Sequence, residues 1–278
     1  MRIDSHVHIT PPEIAANWQK YAEKEPYFAL LSNAKHNKFA AAEDVCEMLE
    51  KDGFDKAVVF GFAFNDMGLC RYANDYVIEN VKKFPDKLIG FAVVPPGGKD
   101  SAKEIERCFS AGLKGVGELF PSGQKMDLVS KEATINITGV CAEMGIPLLL
   151  HANESVGHDY AGKTDMPIRH IETFISNNSN LKIILAHWGG GIFLYEAMKE
   201  VKEEFKNVYY DTAVTPFLYD ERIYNAAKAL GLCEKILFGS DFPLLSPSRY
   251  TEGFNKSALS DEEKILILGG NIQRLLEL

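Results

Sequence analysis

The chain has 278 residues, 46% hydrophobic and 25% charged, a composition that allows a substantial core. Its formal net charge of -9, with Lys and Arg dispersed rather than clustered, argues against nucleic acid as a partner. The apolar runs are too short to span a bilayer, and MRIDSHVHIT lacks the apolar stretch of an export signal, so we expect neither membrane insertion nor secretion. Cys46, Cys70, Cys108, Cys141 and Cys233 are scattered and odd in number, as expected of reduced thiols in a cytoplasmic protein.

Short aliphatic runs alternate with stretches of helical period. Arg2 to His8 reads as the first strand. A connection of about thirty residues follows, Ile9 to Ala42, carrying Trp18, Tyr21, Tyr27, Phe28 and Phe39. We expect residues 9–42 to form a cap insertion over the site, with a helical hairpin packed outside as the alternative. Helix 43–52 then leads to strand Lys56 to Phe62, helix 74–84 to Leu88 to Val94, helix 100–111 to Gly115 to Phe120, and helix 131–145 to Pro147 to His151. Helix 167–178 precedes Lys182 to His187, helix 191–206 precedes Val208 to Thr212, helix 219–230 precedes Lys235 to Asp241, and helix 260–276 ends the chain.

Asp100 or Ser101 is placed to cap the third helix, and Ser260 with Glu263 has capping-box spacing. Gly53, Gly112, Gly145 and Gly231 fall where helices should stop. Shorter lids are expected in NESVGHDYAGKTDM after the fifth strand and FPLLSPSRY after the eighth. Runs such as KAVVFGF and KIILAH suit strands covered on both faces. Eight strand–helix units imply an α/β fold, a single (β/α)₈ TIM-barrel domain over 1–278. An open doubly wound sheet would bring a glycine-rich first turn, where this chain has HVHITPP.

Of seven histidines, His6, His8, His151 and His187 fall at the C-terminal ends of expected strands, where a barrel gathers its active-site residues. In IDSHVH, alternation puts Asp4, His6 and His8 on one face. Two imidazoles one pleat apart can bind one divalent ion, with Asp4 orienting a ligand from below. LLLH adds His151, ILAH adds His187 and LFGSD adds Asp241. Taken singly, each has a bland reading as a polar-pocket histidine or a turn aspartate. Glu118 in KGVGELF is an acid inside a strand, which calls for a cation or an ion pair. If Glu118 bridges two ions, His6, His8 and Asp241 hold the first while His151 and His187 hold the second; if it faces the helices, one ion remains. His36, His158 and His170 read as surface or capping residues, although His158 could reach a substrate. Arg71, Lys163, Arg169 and Arg249 are candidate anchors for an anionic group.

The set IDSHVH, LLLH, ILAHWGG and ILFGSDFP, with FPDKLIGFAVVPP and ILGGNIQRLLEL, resembles the amidohydrolase superfamily. The specific resemblance is to the amidohydrolase-2 branch that includes aminocarboxymuconate-semialdehyde decarboxylase, and it covers nearly the whole chain. It implies a distorted barrel in which His6, His8 and Asp241 bind metal. In binuclear members the strand-five and strand-six histidines hold a second ion bridged by a strand-four carboxylate. In mononuclear decarboxylases the strand-five histidine joins the first ion and the strand-six histidine contacts bound water. Glu118 departs from the decarboxylase pattern and tilts the expectation toward hydrolysis.

The expected activity is therefore metal-dependent hydrolysis of an amide, ester or lactone of a small molecule, with a divalent ion lowering the pKa of bound water. Asp241 would serve as general base and later acid, while His187 ligates the second ion or holds the hydroxide. Zinc suits these ligands, with manganese, iron or cobalt as alternatives. The first rival is a zinc-dependent nonoxidative decarboxylase of a small aromatic or unsaturated acid. The second is a barrel that binds metal or ligand without turnover. A homodimer is compatible with all three.

Overall fold

Each of the eight aliphatic runs forms a strand in the computed structural model, which describes residues 1–35 and 37–278. They are β1 Ile3–His8, β2 Lys56–Phe60, β3 Leu88–Ala92, β4 Gly115–Leu119, β5 Leu148–Leu150, β6 Ile183–Leu185, β7 Val208–Asp211 and β8 Ile236–Leu237. The later strands end sooner than the sequence suggests because His151, His187 and Asp241 leave the ladder and turn into the rim loops. Neighbours pair in the order β1-β2-β3-β4-β5-β6-β7-β8, all in parallel. The chain then returns to β1, where Ser5 N donates to Phe238 O at 2.7 Å and Val7 bridges Phe242. The result is the expected (β/α)₈ TIM barrel. His36 lies outside the described residues.

Burial on both strand faces explains the apolar runs. In β1 the pairing with β2 shifts between Asp4 and Val7. Val7 packs outward with Val45 and Leu49 of helix Ala42–Asp52, while Asp4 and His6 are wholly enclosed by the barrel. Gly53, Gly112, Gly145 and Gly231 all take left-handed φ values at helix ends, and the Ser260–Glu263 capping box forms. Asp100 makes no capping bond, because Ser101 beside it turns its hydroxyl to Pro95 O, 2.6 Å away.

Three helical expectations change. Residues 191–206 are not one helix: His187–Ala197 is a tight 3-10 segment in which Trp188, Gly189 and Gly190 have φ near 60°, followed by Lys199–Glu204. A Cβ on Gly190 would collide with the Asn153 backbone, so the HWGG run that precedes the expected helix folds as a close-approach turn. The expected helix 219–230 is shorter, Arg222–Ala229, and a separate turn of helix, Thr215–Leu218, precedes it. The last helix is interrupted by a wide π turn at Leu266–Gly270. Residues 9–42 contain three short helices, Pro12–Ala16, Trp18–Ala22 and Pro26–Ser32. All five cysteines are buried and free, and no helix among the described residues is long and apolar enough to cross a membrane.

Candidate metal centre

The strand ends bring His6, His8, Glu118, His151, His187 and Asp241 to one rim. Their ligand atoms form two groups, His6–His8–Asp241 and Glu118–His151–His187, with the atoms of each within 4.8 Å of one another. Glu118, on β4, points inward and is 2% exposed. One oxygen, Oε2, lies 3.4 Å from both His6 Nε2 and His8 Nε2. The other, Oε1, lies 2.9 Å from His151 Nδ1 and 3.5 Å from His187 Nε2. Gly117 before it has φ 122°, and a Cβ there would strike Leu149 O, so glycine permits the approach that aims Glu118 at the axis.

The outward bonds of the histidines assign their protons. His6 Nδ1 donates to Asp211 Oδ2 at 2.8 Å, His151 Nε2 to Gly162 O at 3.2 Å and His187 Nδ1 to Ala213 O at 3.2 Å. In the neutral imidazoles the opposite nitrogens therefore carry lone pairs, and all of them face inward. His6 Nε2 and His8 Nε2 stand 3.3 Å apart, with Asp241 Oδ1 at 3.2 Å from His8 and 3.7 Å from His6. In the second group His151 Nδ1 and His187 Nε2 are 3.2 Å apart. Such convergent acceptors repel one another unless protons or cations sit between them, and a set of imidazole nitrogens and carboxylate oxygens suits divalent metal. The residues present therefore fit the cation that their chemistry implies.

The electrostatics of the bare cluster agree. Burial opposes charge on Glu118, yet the His6 charge and bonds from His151 and His187 hold its carboxyl well below the usual range. Burial likewise opposes protonation of His6, but Asp211 and Glu118 outweigh it and raise its pKa. His187 is pushed up to about 9, as Glu118 overcomes its burial. Without metal, protons occupy the places that cations would take.

Asp211 at the end of β7 is the residue that sequence reading passed over. It is wholly buried; Oδ1 accepts His187 N at 2.9 Å and Ala213 N at 3.0 Å while Oδ2 holds His6. An acid closing the strand VYYD is the same signal that singled out Glu118. Asp4 does not orient a ring as expected: its Oδ1 accepts Ser240 N at 2.9 Å and His6 N at 3.2 Å, its Oδ2 has no partner, and burial raises its pKa to about 7.

Above the centre opens a cavity of about 680 Å³ whose lining includes Tyr27, Phe28, Phe62, Phe120, Phe217 and Leu218. His158 lines it too, together with Tyr160 from the loop after β5 and Pro243 from the loop after β8. None of the four proposed anchors does. Arg71 pairs with Glu104 at 3.4 Å, Arg169 pairs with Glu172 at 2.9 Å, and Lys163 donates to the carbonyls of Val156, Gly157 and His158. Arg249 faces a separate polar cleft beside Tyr224 and Lys256. The cavity's Lys residues are instead Lys35 and Lys38, and His170 lies exposed on helix Ile168–Asn177.

A model of the family described as Amidohydrolase matches residues 3–278. The chain belongs to the amidohydrolase family. Among curated relatives of this family member, 2-amino-3-carboxymuconate-6-semialdehyde decarboxylase of Dictyostelium discoideum is 24% identical over 341 residues, covering 100% of this chain and 92% of that protein. Gamma-resorcylate decarboxylase of Rhizobium sp. (strain MTP-10005) is 22% identical over 252 residues, 76% of each chain. In fold, this amidohydrolase is similar to the 5-carboxyvanillate decarboxylase of Novosphingobium aromaticivorans, solved with manganese and 4-hydroxy-3-methoxy-5-nitrobenzoic acid. That match has a TM-score of 0.78 at 15% identity and covers 100% of this chain and 96% of the other.

Proposed function

We propose that this amidohydrolase is a metal-dependent nonoxidative decarboxylase acting on a small aromatic or unsaturated carboxylic acid. The observation that carries the reading is the cavity itself, an aromatic-walled space ending directly on the His/carboxylate rim. Relatives named as decarboxylases of such acids support it. Residues 9–42 act as the cap: Tyr27, Phe28 and Phe39 face the cavity from this segment.

His6, His8 and Asp241 would hold a divalent cation, zinc or manganese, which would supply Lewis acidity beside the substrate. The chain supplies the remainder. Phe62 and Phe120 strip water from the substrate carboxylate, which raises its energy relative to neutral carbon dioxide. Asp241, which also lines the cavity, carries the proton to the ring carbon. The electron pair of the breaking carbon–carboxylate bond takes that proton, and carbon dioxide leaves. His187, held through Nδ1 by Ala213 O, keeps its Nε2 toward the centre and returns a proton from solvent.

One observation favours a second reading. Glu118 spans both ligand groups, as a bridging carboxylate in a two-cation hydrolase of amides, esters or lactones would. Incubating the metal-loaded protein with a panel of aromatic acids, esters and lactones separates the readings. Carbon dioxide with one solvent deuterium on the ring carbon is the expected result. Incorporation of ¹⁸O from water without carbon dioxide would replace it with hydrolysis, and no product from any compound would leave a binding barrel.

A further inference from the structure

Glu25 lies in the cap segment and belongs to neither ligand group, yet it is 2% exposed. Its carboxyl receives three N–H groups from the loop after β2: Oε1 accepts Asp66 N at 2.8 Å, and Oε2 accepts Asn65 N at 3.0 Å and Asn65 Nδ2 at 3.2 Å. Asn65 Nδ2 donates also to Gly123 O in the loop after β4, at 3.1 Å. One buried carboxyl thus joins the cap to two loops of the barrel rim. Burying so polar a group for mere cover would be costly, and the three bonds offset that cost only in this one arrangement.

What Glu25 holds in place is the next two residues. Helix Pro26–Ser32 begins immediately after it, so Tyr27 and Phe28 are set by the clasp. Tyr27 packs on Phe120 with ring centroids 5.2 Å apart, and Phe28 on Phe62 at 5.0 Å. Phe62 stacks on Phe120 at 5.0 Å with the planes 30° apart, and Phe120 reaches His151 at 5.5 Å. Tyr27 OH donates to Gly162 O at 3.3 Å, the carbonyl that also receives His151 Nε2. Gly123 leaves no room for adjustment, since a Cβ there would run into the Tyr27 ring.

From this arrangement we infer that Glu25 is a specificity-determining positioning residue: its clasp fixes the aromatic wall on which a planar acid stacks more closely than a puckered one. The inference rests on the proposed reading of the cavity as the site of an aromatic or unsaturated acid. Glutamine is the informative substitution because it keeps the shape and replaces one acceptor with an NH₂ group. Whichever way the amide turns, that group confronts a backbone N–H of Asn65 or Asp66, and the start of the helix must shift.

The test measures binding of two probes that differ in ring planarity, benzoate and cyclohexanecarboxylate, to the manganese-loaded protein by calorimetry. The native protein should prefer the planar probe by about tenfold or more, and Glu25→Gln should cut that ratio by about five- to tenfold, within the range of pocket discrimination. The metal content should not change. An unchanged ratio in Glu25→Gln, or no planar preference in the native protein, overturns the inference. If the glutamine variant does not fold, Asn65→Ala removes the Nδ2 bonds to Glu25 Oε2 and to Gly123 O, and an unchanged ratio there overturns it as well. Failure to release carbon dioxide from any acid bears on the reaction alone, because the probe ratio is read without turnover.

Discussion

Replacing Asp211 with asparagine should strip the first metal position while leaving the barrel folded. The carboxylate accepts three N–H groups, from His6 Nδ1 on one oxygen and from His187 and Ala213 on the other. Asparagine can accept on only one side. If its NH₂ faces the backbone, two buried donors lose their partner, at about 1–3 kcal/mol each. If the NH₂ faces His6, that bond reverses: Nδ1 accepts from the amide and the imidazole's proton moves to Nε2, the nitrogen that points at His8 and Glu118. The second arrangement costs less, so the variant should adopt it and lose the lone pair of a ligand. Loss of such an outer partner lowers metal affinity by about 10–100-fold, or about 1.4–2.7 kcal/mol. Chelator-competition titration with zinc and manganese reads this directly, with thermal melting as the check on folding. A folded Asp211→Asn protein of native metal affinity would refute the proton assignment on which the centre is built.

Metal content by elemental analysis, on protein purified without chelators, should be one ion per chain in both the native protein and Glu118→Gln; two ions falling to one would favour the bridging carboxylate of the hydrolase reading. Asp241→Asn should abolish turnover in either reaction while metal remains partly bound, which a rate assay alongside metal analysis checks. In metal-free protein, His187 has a pKa near 9 against an ordinary 6.5, so its stabilising charge is complete below 6.5 and is lost as pH rises through 9. Melting temperature should fall over that window in stripped protein and stay flatter in loaded protein. Gly239→Ala would place a Cβ 2.8 Å from His6 Cβ and 3.4 Å from Asp211 Cβ. The crowding should destabilise the fold by about 1–3 kcal/mol and weaken the first metal position, read by denaturant titration and metal analysis.

The barrel was legible because its signals are local: buried parallel strands write themselves as apolar runs, and glycines mark the helix ends. The gathering of His6, His8, Glu118, His151, His187 and Asp241 was legible for a related reason, since a closed barrel brings every strand end to one rim. Asp211 escaped because its role depends on the partner across the barrel, His6, 205 positions away. The helix expected over 191–206 is broken because Met198 is extended between two shorter helical segments, a break that helical period does not register. The basic residues misled for a different reason. Nothing in the sequence says that Lys163 spends its ammonium on three carbonyls of its own loop while Lys35 and Lys38 reach the cavity.

Decarboxylation and hydrolysis make opposite demands on the surroundings of the same ligand rim. Hydrolysis needs a water molecule polarised beside the scissile carbonyl, whereas loss of carbon dioxide is helped by removing water from a carboxylate. The rings around this centre answer the second demand. Phe120 packs on His151, and Phe60 lies edge-on to His6 and His8 with centroids at 5.2 and 4.8 Å, so apolar rings flank both ligand groups. On the proposed reading, a substrate carboxylate set against Phe62 and Phe120 in the cavity would lose hydration before it loses carbon dioxide. Glu118 then serves the reaction by neutralising the charge of the centre, which lets an anionic substrate enter without fixing it so tightly that product cannot leave. On this account Glu118→Gln should tighten the binding of an aromatic carboxylate while slowing release, a pattern that a bridging role in water activation would not produce.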